Sequence, residues 1–446
     1  MDFIPNTDKE REEMLEEIGE NSIEDLFSDI PQEIREEFEP LGKDGLSELE
    51  LTQKIHDYAR ENSSPENRTS FIGGGLYEHF IPAVVDHITG RSEFYTAYTP
   101  YQAEISQGTL TWMFEFQTAI SELTGMDIAN SSMYDSASAT AEAVHMARRV
   151  EGGDKVLLAE TLNPLYEKVI RTYLPGDEDS IVTVPALNGR LDRKSLEEIL
   201  KEEDSISCLV LQSPNYLGIV ENLSGLKERL GDSFLIVNTN PISLGVLEPP
   251  GNFGADIVTG EGQMLGNPVY FGGPLLGLFA SRMEYLRYLP GRISGKTVDD
   301  ENEPGFVMAL QTREQHIRRE RATSNICTNQ ALNALAATVY LSYLGSSGFK
   351  RLSEINWEKS HYLAGELTDI EGVSLEWEQP FFNEFTISVP GDPHEIREKL
   401  KDRGIDILKP DYLETFGLDS HFLIAVTETI SREEMDIFKE ELKGAL

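Results

Sequence analysis

Tyrosines recur at every third position in "FYTAYTPYQAEISQG", where Tyr95, Tyr98 and Tyr101 flank Pro100 and are followed by Gln102 and Gln107. Three phenols and two amides on one segment can line a substrate channel and donate hydrogen bonds. The same rings can instead pack on a domain surface and anchor a loop. A second concentration of chemistry is Arg313, Arg318, Arg319 and Arg321 with His316. Guanidinium forks receive carboxylates, phosphates or an acidic partner face. They can also pair with the chain's own carboxylates, but clustering in so acidic a protein points to a site or an interface. A third is "YDSASATAEA", small residues opening a helix, whose free N–H groups attract phosphate. Asp135 at its start would repel a phosphate, so an ordinary Asp/Ser-capped helix is the better reading there.

The stretch "VTGEGQMLGNPVYFGGP", Val258 to Pro274, holds five glycines and two prolines, and its only charge is Glu261. Glycine at that density suits a loop that turns tightly and approaches a ligand. Yet it has no lysine, histidine, cysteine or aspartate. His79 and His87 fall eight apart on an apparent helix, without H-E-x-x-H spacing, and read as structural histidines and not as a metal pair. The glycines of "FIGGGLYEHF" follow no expected strand, so a dinucleotide fingerprint is not supported. Cys208 and Cys327 suggest neither a disulfide framework nor a zinc site.

The elements that must position these residues come from pattern and composition. The 446 residues suffice for two or three domains. Asp plus Glu number 78 against 38 Lys plus Arg, a formal net charge of −40. Such a chain repels nucleic acid and anionic membranes. Because the carboxylates are dispersed, the charge reads as adaptation to a high-salt cytosol, where repulsion is screened. No apolar run reaches membrane-spanning length, and the acidic N-terminus argues against a signal peptide, so a cytoplasmic location is expected.

Acidic helices are expected in the first 60 or so residues, then a Gly/Pro/aromatic region interrupted by a helix over about 76–88. "TLTWMFEFQTAISELTG" reads as a helix ending on Gly125, and "YDSASATAEAVHMARRV" as a second. Strands and helices then alternate. "KVLLAE", "SIVTVPA", "ISCLVLQSP", "SFLIVNTN" and "ADIVTGEG" are β-branched runs without polar alternation, indicating a buried, mostly parallel sheet covered by helices. After Arg282 the pattern predicts a basic segment, a polar turn and a long apolar helix, then a small α+β domain. The implied division is a helical arm over 1–75, a large α/β domain over 76–325, and a linking helix with the small domain over 326–446.

A parallel-sheet domain followed by a small α+β domain is compatible with pyridoxal-phosphate enzymes, in which a lysine on a loop like Val258–Pro274 bonds the cofactor. No lysine lies between Lys227 and Lys296. A free-standing enzyme of that kind using this loop is excluded.

The motifs "SEFYTAYTPYQAEISQGTL", "ELTGMDIANSSMYDSASATAEA", "GEGQMLGNPVYFGGPLLGLFA" and "TREQHIRRERATSNICTNQALNA" closely resemble the glycine cleavage system P-protein family (glycine decarboxylase), in its first, N-terminal-type (α) subunit. The likeness runs from about residue 2 to the C-terminus. It implies an α/β fold of the PLP-dependent transferase type (fold type I), with a mostly parallel sheet, an N-terminal helical extension and a small C-terminal α+β domain. It implies pyridoxal phosphate on a partner β subunit, α2β2 assembly, glycine as substrate, and the lipoamide of H-protein as acceptor of the aminomethyl group.

The β-type lysine loop resembles H-K-T-F-x-x-P-H-G-G-G-G-P. Counting back from Pro274 sets Gln263 against that lysine, and counting forward from Pro250–Gly251 sets Met264 there; neither forms an imine. "VNTNPISLG" offers Asn238 to Asn240 where such enzymes hold the cofactor ring nitrogen with an aspartate. The resemblance therefore implies a chain without covalent cofactor or catalytic residue of its own, completing the assembly and its channel. Tyr95, Tyr98, Tyr101, Gln102, Ser324 and Asn325 are its channel candidates, and Arg313, Arg318, Arg319 and Arg321 its interface or H-protein candidates. The alternative is a scaffold that only stabilises the β subunit.

Overall fold

The computed structural model describes residues 6–36, 45–64, 67–176, 178–270, 273–327 and 329–446. The chain forms two compact units, Met1–Ser64 and Pro65–Leu446. In the first, helices span Asp8–Ile18 and Glu48–Arg60. Each starts with a reciprocal cap, Thr7 with Glu10 and Ser47 with Glu50, which satisfies two of the open N–H groups at the helix start. Neither helix contains a buried residue.

The second unit is built on a seven-stranded sheet. Its strands are β1 (Ile128–Ala129), β2 (Lys155–Ala159), β3 (Ile181–Val184), β4 (Ile206–Gln212), β5 (Phe234–Thr239), β6 (Ile257–Glu261) and β7 (Gly277–Ser281), in the order β1-β7-β6-β5-β4-β2-β3. The run from β3 to β6 is parallel. β7 pairs antiparallel with both β6 and β1. Alternation within β4 explains the apolar run at its centre: Leu209 and Leu211 belong to one apolar cluster, Cys208 and Val210 to another, and all four are buried. A strand covered on both faces has no solvent side to encode.

The covering helices include α1 (Gln107–Thr124), α2 (Ser136–Glu151) and α3 (Pro164–Tyr173). α1 stops at Gly125, whose φ of 69° is the left-handed conformation glycine adopts without strain. α2 is capped by Asp135, whose carboxylate accepts from Ser138 N. The capped-helix reading of Asp135 thus holds.

Two elements depart from the sequence pattern. The helix expected over 76–88 is confined to Ala83–Thr89, with Pro82 as its N-cap. The preceding segment is held extended by long-range side-chain bonds from Tyr77 and His79, and Ile81 precedes a proline, which disfavours helix. His79 and His87 therefore do not share a helix, and among the described residues no cluster suited to a metal exists. Downstream, a hairpin of Ile293–Val298 with Pro304–Ala309 precedes the arginines, and its second strand takes up the start of the run read as a basic segment. Only its base is buried, so its outer half shows no apolar alternation.

α4 (Ala331–Thr368) is the expected long apolar helix, broken once at Gly345, where φ is 59°. It leads to a three-stranded antiparallel sheet of Ser374–Leu375, Glu384–Ser388 and His421–Ala425 with helices Pro393–Asp402 and Arg432–Ala445. Among the described residues no helix is long and apolar enough to cross a membrane.

Candidate functional site

The ends of β5 and β6, the start of α2, and the first residues of the small sheet converge on one point. There the sole charge of the glycine-rich stretch, Glu261, ends β6 and is 4 % exposed. Its Oε2 accepts from the backbone N of Ser136, the first residue of α2, at 3.0 Å. Its Oε1 accepts from Gln263 N at 3.0 Å and Leu276 N at 2.8 Å. The positive end of α2 is thus met by a carboxyl group of the chain itself.

Next to it, Asn238 Nδ2 donates to Ser136 Oγ, Thr140 Oγ1 and Thr259 Oγ1 at 2.6, 3.1 and 3.1 Å. From the small domain, Glu384 accepts Gly74 N at 2.6 Å and the Tyr77 hydroxyl. A Cβ on Gly73 would lie 2.0 Å from Glu384 Oε1, so only glycine lets this turn close around the carboxyl group. The cavity left between these groups is about 20 Å³, bounded also by Met264, Asn240 and Asn383. That is room for about one water, where a cofactor or drug-sized ligand needs roughly 300 Å³ or more.

Burial pushes the Glu261 carboxyl up to about 8, against the pull of the three amide N–H groups. Burial likewise pushes Glu384 up to about 7, with the Tyr77 hydroxyl and Gly74 N–H acting in the opposite sense. The hydroxyls of Tyr77 and Tyr166 are also raised, first by burial and then by neighbouring carboxyl groups.

Three glycines of the stretch are met by protein. A Cβ at Gly260 would lie 2.6 Å from Thr239 O, one at Gly262 2.9 Å from the Leu276 side chain, and one at Gly266 2.9 Å from Tyr340 Cβ. They permit close packing. Gln263 and Met264 are both buried. Gln263 turns its amide to Asn267 O at 2.6 Å and accepts from Tyr77 N, whereas Met264 lines the cavity. Phe271 and Gly272, near the end of the stretch, lie outside the described residues.

The tyrosine segment does not pack inward. Tyr95, Tyr98 and Tyr101 are 68, 66 and 75 % exposed, and Gln102 is exposed beside them. Ser324 and Asn325 border a separate cleft of about 510 Å³, together with Tyr134, Glu142, His145 and Arg149. Ser324 Oγ donates to Glu142 at 2.8 Å, and burial raises that carboxyl group. Arg149 donates to Thr323 O at 2.6 Å, which fixes the turn against α2.

The arginines divide. Arg313 is buried and donates to Gly291 O and Leu310 O. Arg318, Arg319 and Arg321 are exposed, and among the described residues only Arg321 of these three pairs with a carboxylate, Glu320 at 3.9 Å. Sequence reasoning did not single out Glu384, Tyr77 or Glu142. For Glu261 a signal existed, as the one charge in an apolar run.

A family model described as "Glycine cleavage system P-protein" matches residues 1–442. "Probable glycine dehydrogenase (decarboxylating) subunit 1" of Desulfitobacterium hafniense is 47 % identical over 442 residues, covering 98 % of each chain. The protein of the same name from Thermomicrobium roseum is 47 % identical over 452 residues and covers all of both chains. A crystal structure of glycine decarboxylase (P-protein) of the glycine cleavage system, in inhibitor-bound form, superposes with a TM-score of 0.90 at 39 % identity over the full length of both. Mouse CSAD in apo form shares the fold alone, with a TM-score of 0.69 at 15 % identity over 95 % of this chain and 92 % of that one. The architecture is that of PLP-dependent fold type I enzymes. The chain belongs to the glycine cleavage system P-protein family, as a subunit 1 of glycine dehydrogenase (decarboxylating).

Proposed function

We propose that this chain is the half of a two-subunit glycine decarboxylase that does not hold the cofactor. The observation that carries the reading is how little space the site leaves. The N–H of Ser136 that would face a phosphate is taken by Glu261, Asn238 stands where an acidic ring-nitrogen partner is needed, and about 20 Å³ remains. These residues do not fit pyridoxal phosphate. Met264 lines that cavity and Gln263 does not, which favours Met264 as the position matching the lysine.

In the assembled enzyme, pyridoxal phosphate on the second subunit supplies the electron sink for loss of CO2 from glycine. The aminomethyl group then passes to the lipoyl arm of H-protein. The contribution of this chain is to complete an α2β2 assembly and to wall the approach to the partner's site. Tyr95, Tyr98, Tyr101 and Gln102 offer hydrogen-bond donors from an exposed segment, which suits a surface completed by another subunit. Ser324 and Asn325 open a polar cleft, and Arg318, Arg319 and Arg321 offer positive charge to the second subunit or to H-protein. Arg313 holds their turn from inside.

Replacing Tyr95 and Tyr98 together by Phe, in the complex with subunit 2, removes two hydroxyls without removing rings. The expected result is about a tenfold loss of glycine-dependent CO2 exchange with assembly intact, the effect of about 1.4 kcal/mol of lost hydrogen bonding. Unchanged exchange removes the channel role and leaves a scaffold that only supports the second subunit.

A further inference from the structure

Tyr95, Tyr98 and Tyr101 stand exposed in a run, Tyr95 to Ala103, that carries no charge, and Ile105 just beyond it is 81 % exposed. This segment is tied to the hairpin. Gln107 Nε2 donates to Phe306 O at 2.9 Å, and Phe306 N donates to Gln107 Oε1 at 2.8 Å. Arg292, just before the hairpin, donates to Thr99 Oγ1 at 3.3 Å. The hairpin is tied in turn to the arginine turn, since Arg313 donates to Gly291 O at 3.0 Å and its N–H to Leu310 O at 3.1 Å. Val307 and Leu310 at the hairpin and Ile317 in the turn are exposed as well. The three segments therefore make one connected surface that shows large apolar side chains along its length.

Its charge is unlike that of the rest of the chain. Between Pro304 and Phe349 stand two carboxylates, Glu314 and Glu320, and four arginines, whereas the whole chain has 78 Asp and Glu in 446 residues. The Glu314 side chain is only 10 % exposed, which leaves Glu320 as the exposed carboxylate among the described residues there. No lysine lies between Lys296 and Lys350. The acidic turn of the hairpin, Asp299 to Glu303, stands at the rim. Surfaces buried between two chains gain aromatic residues, Met and Arg, and lose Lys, Glu and Asp. A chain of net charge −40 also repels an acidic partner least where its own carboxylates are sparse and arginines stand.

We propose that this surface is the contact face for subunit 2, with the arginines of the turn inside the subunit contact and not on a landing site for H-protein. The inference rests on the two-subunit reading above and assigns the face through which it is realised. The make-up of the face selects the permanent partner. Aromatic, aliphatic and Arg side chains with few Lys and Glu suit a contact that stays closed, because lasting interfaces are the more apolar ones. A carrier that delivers its lipoyl arm and departs is better served by a polar, hydrated surface.

The test uses the full chain as wild type, Ile105→Glu, Ile317→Glu and Ile437→Glu, the last an exposed position on the helix Arg432–Ala445 away from this surface. Three quantities are measured: the thermal midpoint of the chain alone, its Kd for purified subunit 2, and the KM for H-protein in glycine-dependent CO2 exchange with subunit 2 saturating. Ile105→Glu and Ile317→Glu should each weaken binding to subunit 2 by about tenfold or more, because each sets a charge inside the contact. Both should leave the thermal midpoint and the KM for H-protein unchanged, and Ile437→Glu should alter none of the three. An unchanged Kd for subunit 2 in both variants overturns the proposal. A raised KM for H-protein would then give the face to H-protein, and an unchanged one would leave it a free surface. A lowered thermal midpoint in both variants overturns it too, since those side chains would then pack within the chain. Wild type that fails to bind subunit 2 contradicts the two-subunit reading itself, whereas variants that bind as well as wild type contradict only the face.

Discussion

Glu384→Gln is expected to flatten the pH dependence of stability, and at pH 8 the variant should exceed wild type by about 3 kcal/mol. The folded-state pKa of Glu384 is raised to about 7 from an ordinary 4.5. Its contribution is therefore fully present below about 4.5. As pH rises, the unfolded chain releases the proton first, so the contribution declines until the folded group also ionises near 7. Glutamine mimics the protonated form. Its Oε1 accepts from Gly74 N, and its Nε2 donates to the Tyr77 oxygen, occupying the positions of the two present bonds. At pH 5 the variant should lead by only about 1 kcal/mol, and at pH 4 the two proteins should be nearly equal. Denaturant unfolding at several pH values measures this directly. A variant that loses stability at pH 5 and at pH 8 alike would show that Glu384 is ionised in the fold throughout. Glu261, raised to about 8, acts in the same direction, so part of the wild-type decline should remain in the variant.

Glu428→Ala should cost about 3–5 kcal/mol, because it strands the donors of buried His79 and Asn356 and frees Phe80 N at once. Glu428 Oε2 takes His79 Nδ1 at 2.8 Å and Asn356 Nδ2 at 3.1 Å, and Oε1 takes Phe80 N at 2.8 Å. Burial raises this carboxyl group, but the His79 bond and charge and the Phe80 N–H together bring it below the usual range. These contacts tie the extended segment before Pro82 to α4, and that segment carries Tyr77 to Glu384. The effect should therefore be local as well as global. Amides of residues 77–81 should exchange faster in Glu428→Ala than those of β4, and Glu428→Gln, which keeps an acceptor, should recover part of the loss. Uniform exchange across the chain would argue that the segment is held by packing alone.

Much of the fold was legible because its signals are local. Ile206–Gln212 carries an unbroken apolar run, Cys208 to Leu211, at its centre, and Gln107–Thr124 ends where Gly125 permits a left-handed turn. The hairpin of Ile293–Val298 and Pro304–Ala309 was not legible, since its exposed half lacks the alternation that marks a strand. The helix over 76–88 was misread in its first half because Tyr77 and His79 answer to partners 307 and 349 residues away. The site itself was half visible. The stretch without a reactive residue stood out, but the reason for its glycines did not, because the atoms they approach come from β5, from residues near the start of β7 and from α4. Glu261 was seen only as an isolated charge. Its bond to Ser136 spans 125 residues, a distance that spacing within one motif cannot express.

Whether this chain holds the cofactor decides its role most directly. The purified chain, mixed with pyridoxal phosphate and glycine, should show neither bound-cofactor absorbance in the visible range nor glycine-dependent CO2 exchange. Both should appear when subunit 2 is added, with exchange above that of saturating subunit 2 alone. Bound-cofactor absorbance from this chain by itself, or full exchange by subunit 2 without it, would contradict the account.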